Sequence, residues 1–181
     1  MSATEPTAPD APDPSTPTTR RVRWLALGLL AGIGLAVITF ALLRDEPSRQ
    51  ETVAERGTIV MPFDLEATTH VFEPTEYGGI QTVVADDPDD AEQVSLVRGH
   101  LAAEATRFQR GDFGDPTSIH GMEMPGLAVL ESGVGSLTVS YRDVPAGGEI
   151  TFESIDPAVV QALHDWFAAQ LFDHGEHATV G

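Results

Sequence analysis

Apolar positions along this chain follow three different spacings. From Trp24 to Leu43 (WLALGLLAGIGLAVITFALL) twenty residues pass without a charge. As a helix, such a run spans about 30 Å, the thickness of a bilayer's hydrocarbon core, and predicts one transmembrane anchor. Further on, Leu137, Val139 and Tyr141 alternate with Thr138, Ser140 and Arg142, the period of a half-buried strand, and Thr68 to Phe72 is a less regular partner. A spacing of three and four takes over twice more. Val94, Val97, Leu101, Ala105 and Phe108 line one face of a predicted helix at about 88–109, and Val160, Leu163, Phe167 and Leu171 do so at about 157–172.

These segments recur in a fixed order. Gly78-Gly79 precedes IQTVVAD and then Asp87-Pro88, while Gly147-Gly148 precedes EITFESI and then Asp156-Pro157. Each Gly pair can form a hairpin turn, each seven-residue stretch reads as a strand, and each Asp-Pro pair suits the N-cap and first position of a helix. The predicted class is α+β, with the layout ββα–linker–ββα. Its simplest form is a four-stranded antiparallel sheet with two helices on one face, preceded by one transmembrane helix.

The remaining segments set the boundaries. Residues 1–23 are a disordered cytoplasmic tail, since 1–19 are mostly Pro, Thr, Ala and acid and offer nothing to bury. Residues 24–43 are the anchor, 44–57 a polar stalk, 58–173 the extracytoplasmic domain and 174–181 a His-containing tail. Arg20, Arg21 and Arg23 precede the anchor, whereas Arg44 after it is offset by Asp45 and Glu46. That asymmetry keeps the N-terminus in the cytoplasm and exports the C-terminal part. Thr39-Phe40-Ala41 offers a signal-peptidase site as the competing reading, but the apolar run exceeds a usual signal core. Gly28 and Gly32 have a helix-dimer spacing, which is common in membrane helices and adds little.

Charge narrows the partners. From Ser48 onward there are 23 Asp or Glu against six Arg, a net charge near −17. Such a surface repels nucleic acid and anionic headgroups and suits cations or a basic envelope protein. The chain has no Cys, so thiolate metal sites and disulfides are excluded. It also lacks Lys and Asn, the two residues whose codons begin with AA, which fits a GC-rich bacterial genome.

Candidate chemistry falls between the two units, in Gly111 to Gly126 (GDFGDPTSIHGMEMPG), a turn-rich loop with little periodicity. His120, Met122 and Met124 alternate there, so an extended segment projects all three to one side. Imidazole with thioether favours copper or a related transition metal. His174 and His177 are a second candidate pair: a continuing helix would place them on one face, while Gly175 ends the helix and leaves a loose tail. His164, on an apolar stripe, and His70, in phase with Phe72, read as core histidines; His100 flanks the stripe of its helix. Asp112-Phe113-Gly114 spells a kinase tripeptide without the rest of a kinase, and Asp86 to Asp90 lack the spacing of a calcium loop.

The string DFGDPTSIHGMEMPGL, with MPFDLEATTHVF upstream and ALHDWFAAQLFDHG downstream, resembles a family of small exported bacterial proteins without established function. The shared pattern is DFxDPxxIHGxxMPGL, within a resemblance that spans most of residues 60–177. Some members of that family carry an aspartate carbamoyltransferase label. The S-T-R-T loop and H-P-x-Q segment of true transcarbamoylases are absent here, and the chain has room for one small α+β domain rather than two. The resemblance therefore implies an exported, folded domain and transfers no catalytic residue.

The sequence thus predicts a membrane-anchored extracytoplasmic binding module, with His120, Met122, Met124, His174 and His177 as candidate ligands for copper or another transition metal. An acidic envelope module that docks a basic protein is the alternative. A small enzyme is the third reading, and it requires a carboxylate such as Asp112 or Asp115 beside His120.

Overall fold

The computed structural model describes residues 47–181; the tail, the anchor at 24–43 and residues 44–46 lie outside the described residues. Among the described residues no helix is long and apolar enough to cross a membrane.

Helix α1 (Arg49–Val60) occupies much of the stretch expected to be a stalk. Ser48 caps it reciprocally with Glu51: its hydroxyl accepts from the Glu51 N–H and its own N–H donates to the Glu51 carboxylate. Only Val53 and Gly57 of this helix are buried, which is too thin a stripe for periodicity to reveal. At Gly57 a Cβ would stand 2.7 Å from the Leu65 side chain, so the glycine permits the close contact.

The class is α+β, with a five-stranded mixed sheet in the order β3-β4-β2-β1-β5. β1 (Thr68–Thr75) and β2 (Gly78–Ala85) form one hairpin, β3 (Thr138–Val144) and β4 (Gly147–Glu153) another, and β2 pairs antiparallel with β4. The fifth strand corrects the four-stranded antiparallel expectation. β5 (Ala178–Val180) runs parallel to β1 at the sheet edge, so the C-terminal residues are a strand rather than a loose tail. Gly175, at φ +56°, turns the chain back toward β1, a conformation that an L side chain resists.

The Gly pairs also serve differently from expectation. The turns are Glu76-Tyr77 and Pro145-Ala146, and each Gly pair opens the following strand. There the backbones approach too closely for a side chain: a Cβ on Gly147 would lie 1.9 Å from the Val83 carbonyl oxygen.

Helix α2 (Ala91–Phe108) begins after Asp90, three residues later than the Asp87-Pro88 pair suggested, because Asp87 closes a local turn and Asp90 caps the Gln93 N–H. Helix α5 (Pro157–His174) starts as read, capped by Asp156. α2 buries its expected stripe against the sheet face that carries Phe72, Val83, Ile150 and Phe152, whereas α5 buries Leu163 and Phe167 together with Val159, Ala162 and Trp166 and leaves Val160 and Leu171 partly exposed. Trp166 sits at the centre among Phe108, Phe113 and Phe152. The expected loop contains one short helix, α3 (Gly114–His120), and a second, α4 (Leu127–Ser132), begins directly after the loop. α3 buries Pro116, Ile119 and His120 within two turns, a span too short for its amphipathicity to register in the sequence.

Candidate metal centre

Three helix ends meet at one carboxylate. Asp173, in the last turn of α5, is buried, with its side chain 1 % exposed. Arg49, at the start of α1, donates to it through Nε at 2.5 Å and Nη2 at 2.6 Å. The same Nη2 donates to the His120 carbonyl oxygen at 3.1 Å, closing the C-terminal end of α3. Asp173 Oδ2 also lies 2.9 Å from His120 Nδ1. With the Arg49 guanidinium donating to the carboxylate, Oδ2 is placed to accept from His120 Nδ1–H, the tautomer that leaves Nε2 with a free lone pair. A carboxylate behind a histidine in this manner fixes the ring and its tautomer and raises its basicity as a ligand.

Two further imidazoles stand beside His120. His174 lies edge-on to it with ring centroids 5.2 Å apart, and His70 of β1 stacks on His174 at 4.6 Å. Burial holds all three rings in the neutral, ligating form. His70 is pushed down to about 4, first by burial and then by the neighbouring histidines. His174 is lowered well below the usual value for the same reasons. His120 is lowered by burial, against the opposing pull of Asp173. Buried protonated imidazoles this close would repel, so the cluster is built for neutral rings or for a cation between them.

The cluster lies between two spaces. On one side a cleft of about 370 Å³ opens between α1 and the C-terminal turn, lined by His70, His174, His177, Glu66 and Glu176 among others. His177 Nε2 lies 3.3 Å from Glu66 Oε1 across this cleft. On the other side is a void of about 30 Å³, lined in part by His70, His100, Glu104, His120, Gln170 and His174. His70 Nδ1, Gln81 Oε1, Trp166 Nε1 and Gln170 Oε1 are buried without a hydrogen-bond partner, and their residues all line this void. A buried polar atom left unpaired costs about 1–3 kcal/mol, so four around one small space mark it as a place for a polar guest.

Of the residues the sequence singled out, the structure brings His120, His174 and His177 to one region. Met122 is 82 % exposed while Met124 is packed into the hydrophobic core and His120 is buried, so the three do not form the one-sided set that an extended loop would present. The alternation failed because residues 114–120 are helical and Gly121, at φ +94°, redirects the chain. The carboxylate on His120 is Asp173, not Asp112 or Asp115. His164 holds the β1–β2 turn instead, its Nε2 lying 2.8 Å from the Gly78 oxygen and 3.1 Å from that of Thr75.

His70, Asp173 and Arg49 escaped the sequence reading as site residues. His70 has the parity of a core residue, and only the fold shows that its neighbours are imidazoles. Asp173 carried a usable signal: a carboxylate continuing the buried α5 face of Trp166 and Gln170 requires a partner.

Comparison with known proteins returns no match to any family model, curated protein or solved structure.

Proposed function

We propose that this chain is a membrane-anchored extracytoplasmic module that binds copper or another transition metal through His70, His120 and His174. The observation that carries the reading is the meeting of three neutral imidazoles from β1, α3 and α5, with His70 and His120 buried, His174 partly buried and His120 oriented by Asp173. Imidazole sets suit copper(II), zinc and nickel, and with Met122 at the surface that thioether is not offered to the set, which moves the preference away from copper(I). Binding by all three rings requires one of them to turn, since their nitrogens do not all lie within 4.8 Å of one another. Entry is through the cleft, where His177, Glu66 and Glu176 add imidazole and negative charge to attract a cation. The anchor and its cytoplasmic N-terminus belong to this proposal and rest on the charge-free run at 24–43. Titration of the full chain in detergent with copper(II) or zinc tests it, with His120→Gln and His174→Gln as the diagnostic variants.

The ββα–linker–ββα reading belongs to the same proposal, and the sheet register supports it. Gln81 and Ile150 are the fourth residues of β2 and β4, and they pair with each other, so the central pair runs symmetrically about them. Arg98 of α2 donates to the carbonyls of Val144 and Gly147 at one hairpin, while His164 of α5 meets those of Thr75 and Gly78 at the other. Each helix thus ties down the opposite unit's turn at equivalent positions.

A further inference from the structure

His100 and Glu104 are one turn apart on α2, so their side chains share a face, and Asp115 reaches the same place from the first turn of α3. One donor atom from each lies within 4.8 Å of the other two, the set with this property among the described residues. Glu104 is buried, and Arg107 alone supplies charge, from Nη1 to Glu104 Oε1 at 2.8 Å and to Asp115 Oδ2 at 2.5 Å. One partly exposed guanidinium therefore serves two carboxylates. His100 adds no charge, since burial lowers its affinity for a proton. His100 and Glu104 of this set line a small void, and burial with the Asp115 carboxylate pushes Glu104 up to about 7, so a cation bound there would draw off its proton. A second feature outside the imidazole set lies on that same void: Gln170, more than nine-tenths buried, has an unpartnered carbonyl oxygen.

We propose that His100, Glu104 and Asp115 form a second cation site, selective for a divalent ion that accepts mixed oxygen and nitrogen ligands, such as manganese(II), iron(II) or zinc. One imidazole and two carboxylates form a harder donor set than the three imidazoles, so manganese separates the two sites. The ion takes the place that the Arg107 guanidinium fills between the carboxylates. This site stands independently of the imidazole cluster.

The experiment is manganese(II) titration of the chelator-treated full chain in detergent, followed by loss of the free-ion paramagnetic resonance signal. The expected result is one equivalent bound, with affinity reduced at least tenfold in both Glu104→Gln and Asp115→Asn. Arg107→Met removes the competing cation and is expected to bind manganese at least as tightly as the unaltered chain. His120→Gln and His174→Gln are expected to change manganese affinity less than twofold, so failure of the imidazole reading leaves this test intact. Circular dichroism of each variant confirms folding, and the partly exposed Asp115 provides the variant that tests the site without touching the core. Absence of saturable binding, equal affinity in Asp115→Asn, weaker binding in Arg107→Met, or manganese lost with His120→Gln would each overturn the assignment.

Discussion

Asp173 Oδ2 and His120 Nδ1 lie 2.9 Å apart, between helices that are 53 residues distant in sequence. The pair converts an otherwise ordinary buried histidine into an oriented ligand. Its removal should weaken metal binding more than it weakens the fold. Asp173→Asn keeps the shape but lets the amide present either a donor or an acceptor to Nδ1. Metal affinity should fall about 10- to 100-fold, the usual cost of losing a carboxylate behind a ligating histidine. Calorimetric titration measures this, and affinity within twofold of the unaltered chain would contradict the role given to Asp173.

Arg49 is the counterpart test, because it acts on stability. It is half exposed, whereas its partner carboxylate is buried. Arg49→Gln leaves that carboxylate without its cation, and α1 with the Gln50–Phe172 hydrogen bond as its remaining polar tie to α5. The expected loss is on the order of 3 kcal/mol, the lower end for breaking a buried pair, because one partner remains wet. Urea denaturation checks the magnitude. Limited proteolysis should newly cut within 49–60, and an unchanged midpoint would contradict the role given to Arg49 and leave α1 held by Val53, Gly57 and the Gln50 and Arg56 hydrogen bonds.

The histidines predict a stability profile with a definite sign. An unfolded imidazole titrates near 6.5, whereas buried His70 has been pushed down to about 4. Between those values the unfolded chain takes up a proton that the folded chain refuses. Stability is therefore full above about pH 6.5 and falls as pH drops toward 4, by roughly 3 kcal/mol for His70 alone. His100, His120 and His174 shift in the same direction. Glu104 has the opposite sign: pushed up to about 7 by burial and by Asp115, its contribution is full below the usual carboxyl value and lost as pH rises through 7. Chelator-treated protein should thus lose urea resistance between pH 6.5 and 4.5, less steeply in His70→Gln. A flat profile across that range would contradict the buried, neutral assignment.

Gly126 tests the packing of the loop that carries the site. Its φ is +78°, and a Cβ there would lie 1.9 Å from the Ala162 carbonyl oxygen on α5. Gly126→Ala must shift backbone rather than a flexible side chain, so a loss of at least ~2 kcal/mol is expected. Gly121 provides the control, with a similar φ of +94° and open space around its Cβ position, and its Ala variant should cost less. Thermal melts of the two variants compare strain alone with strain plus collision.

Much of the scaffold was legible because it depends on local pattern. The stripe of Val94, Val97, Leu101, Ala105 and Phe108 is buried on α2 as the spacing required, and Asp156-Pro157 opens α5 as read. What escaped depends on contacts across the chain. Ala178–Val180 becomes a strand because β1 offers a free edge, and α1 folds because Leu65 and α5 await it. The site divides in the same way. His120 and His174 were visible as histidines with uncommon neighbours, but Met122 and Met124 were placed beside His120 only by assuming an extended loop. His70 and Asp173 join the cluster through sheet register and helix crossing, which no local spacing records. The pairing of His100 with Glu104 on one helix face was readable, whereas the arrival of Asp115 required the turn between α2 and α3.

The most direct test of the central claim is a copper(II) titration of the chelator-treated full chain in detergent, repeated in His70→Gln, His120→Gln, His174→Gln and Met122→Leu. The predicted result is a tight first equivalent, with a dissociation constant of about 1 μM or below. That affinity should fall at least tenfold in each histidine variant and stay unchanged in Met122→Leu. No saturable binding, or equal affinity in the histidine variants and Met122→Leu, would contradict it.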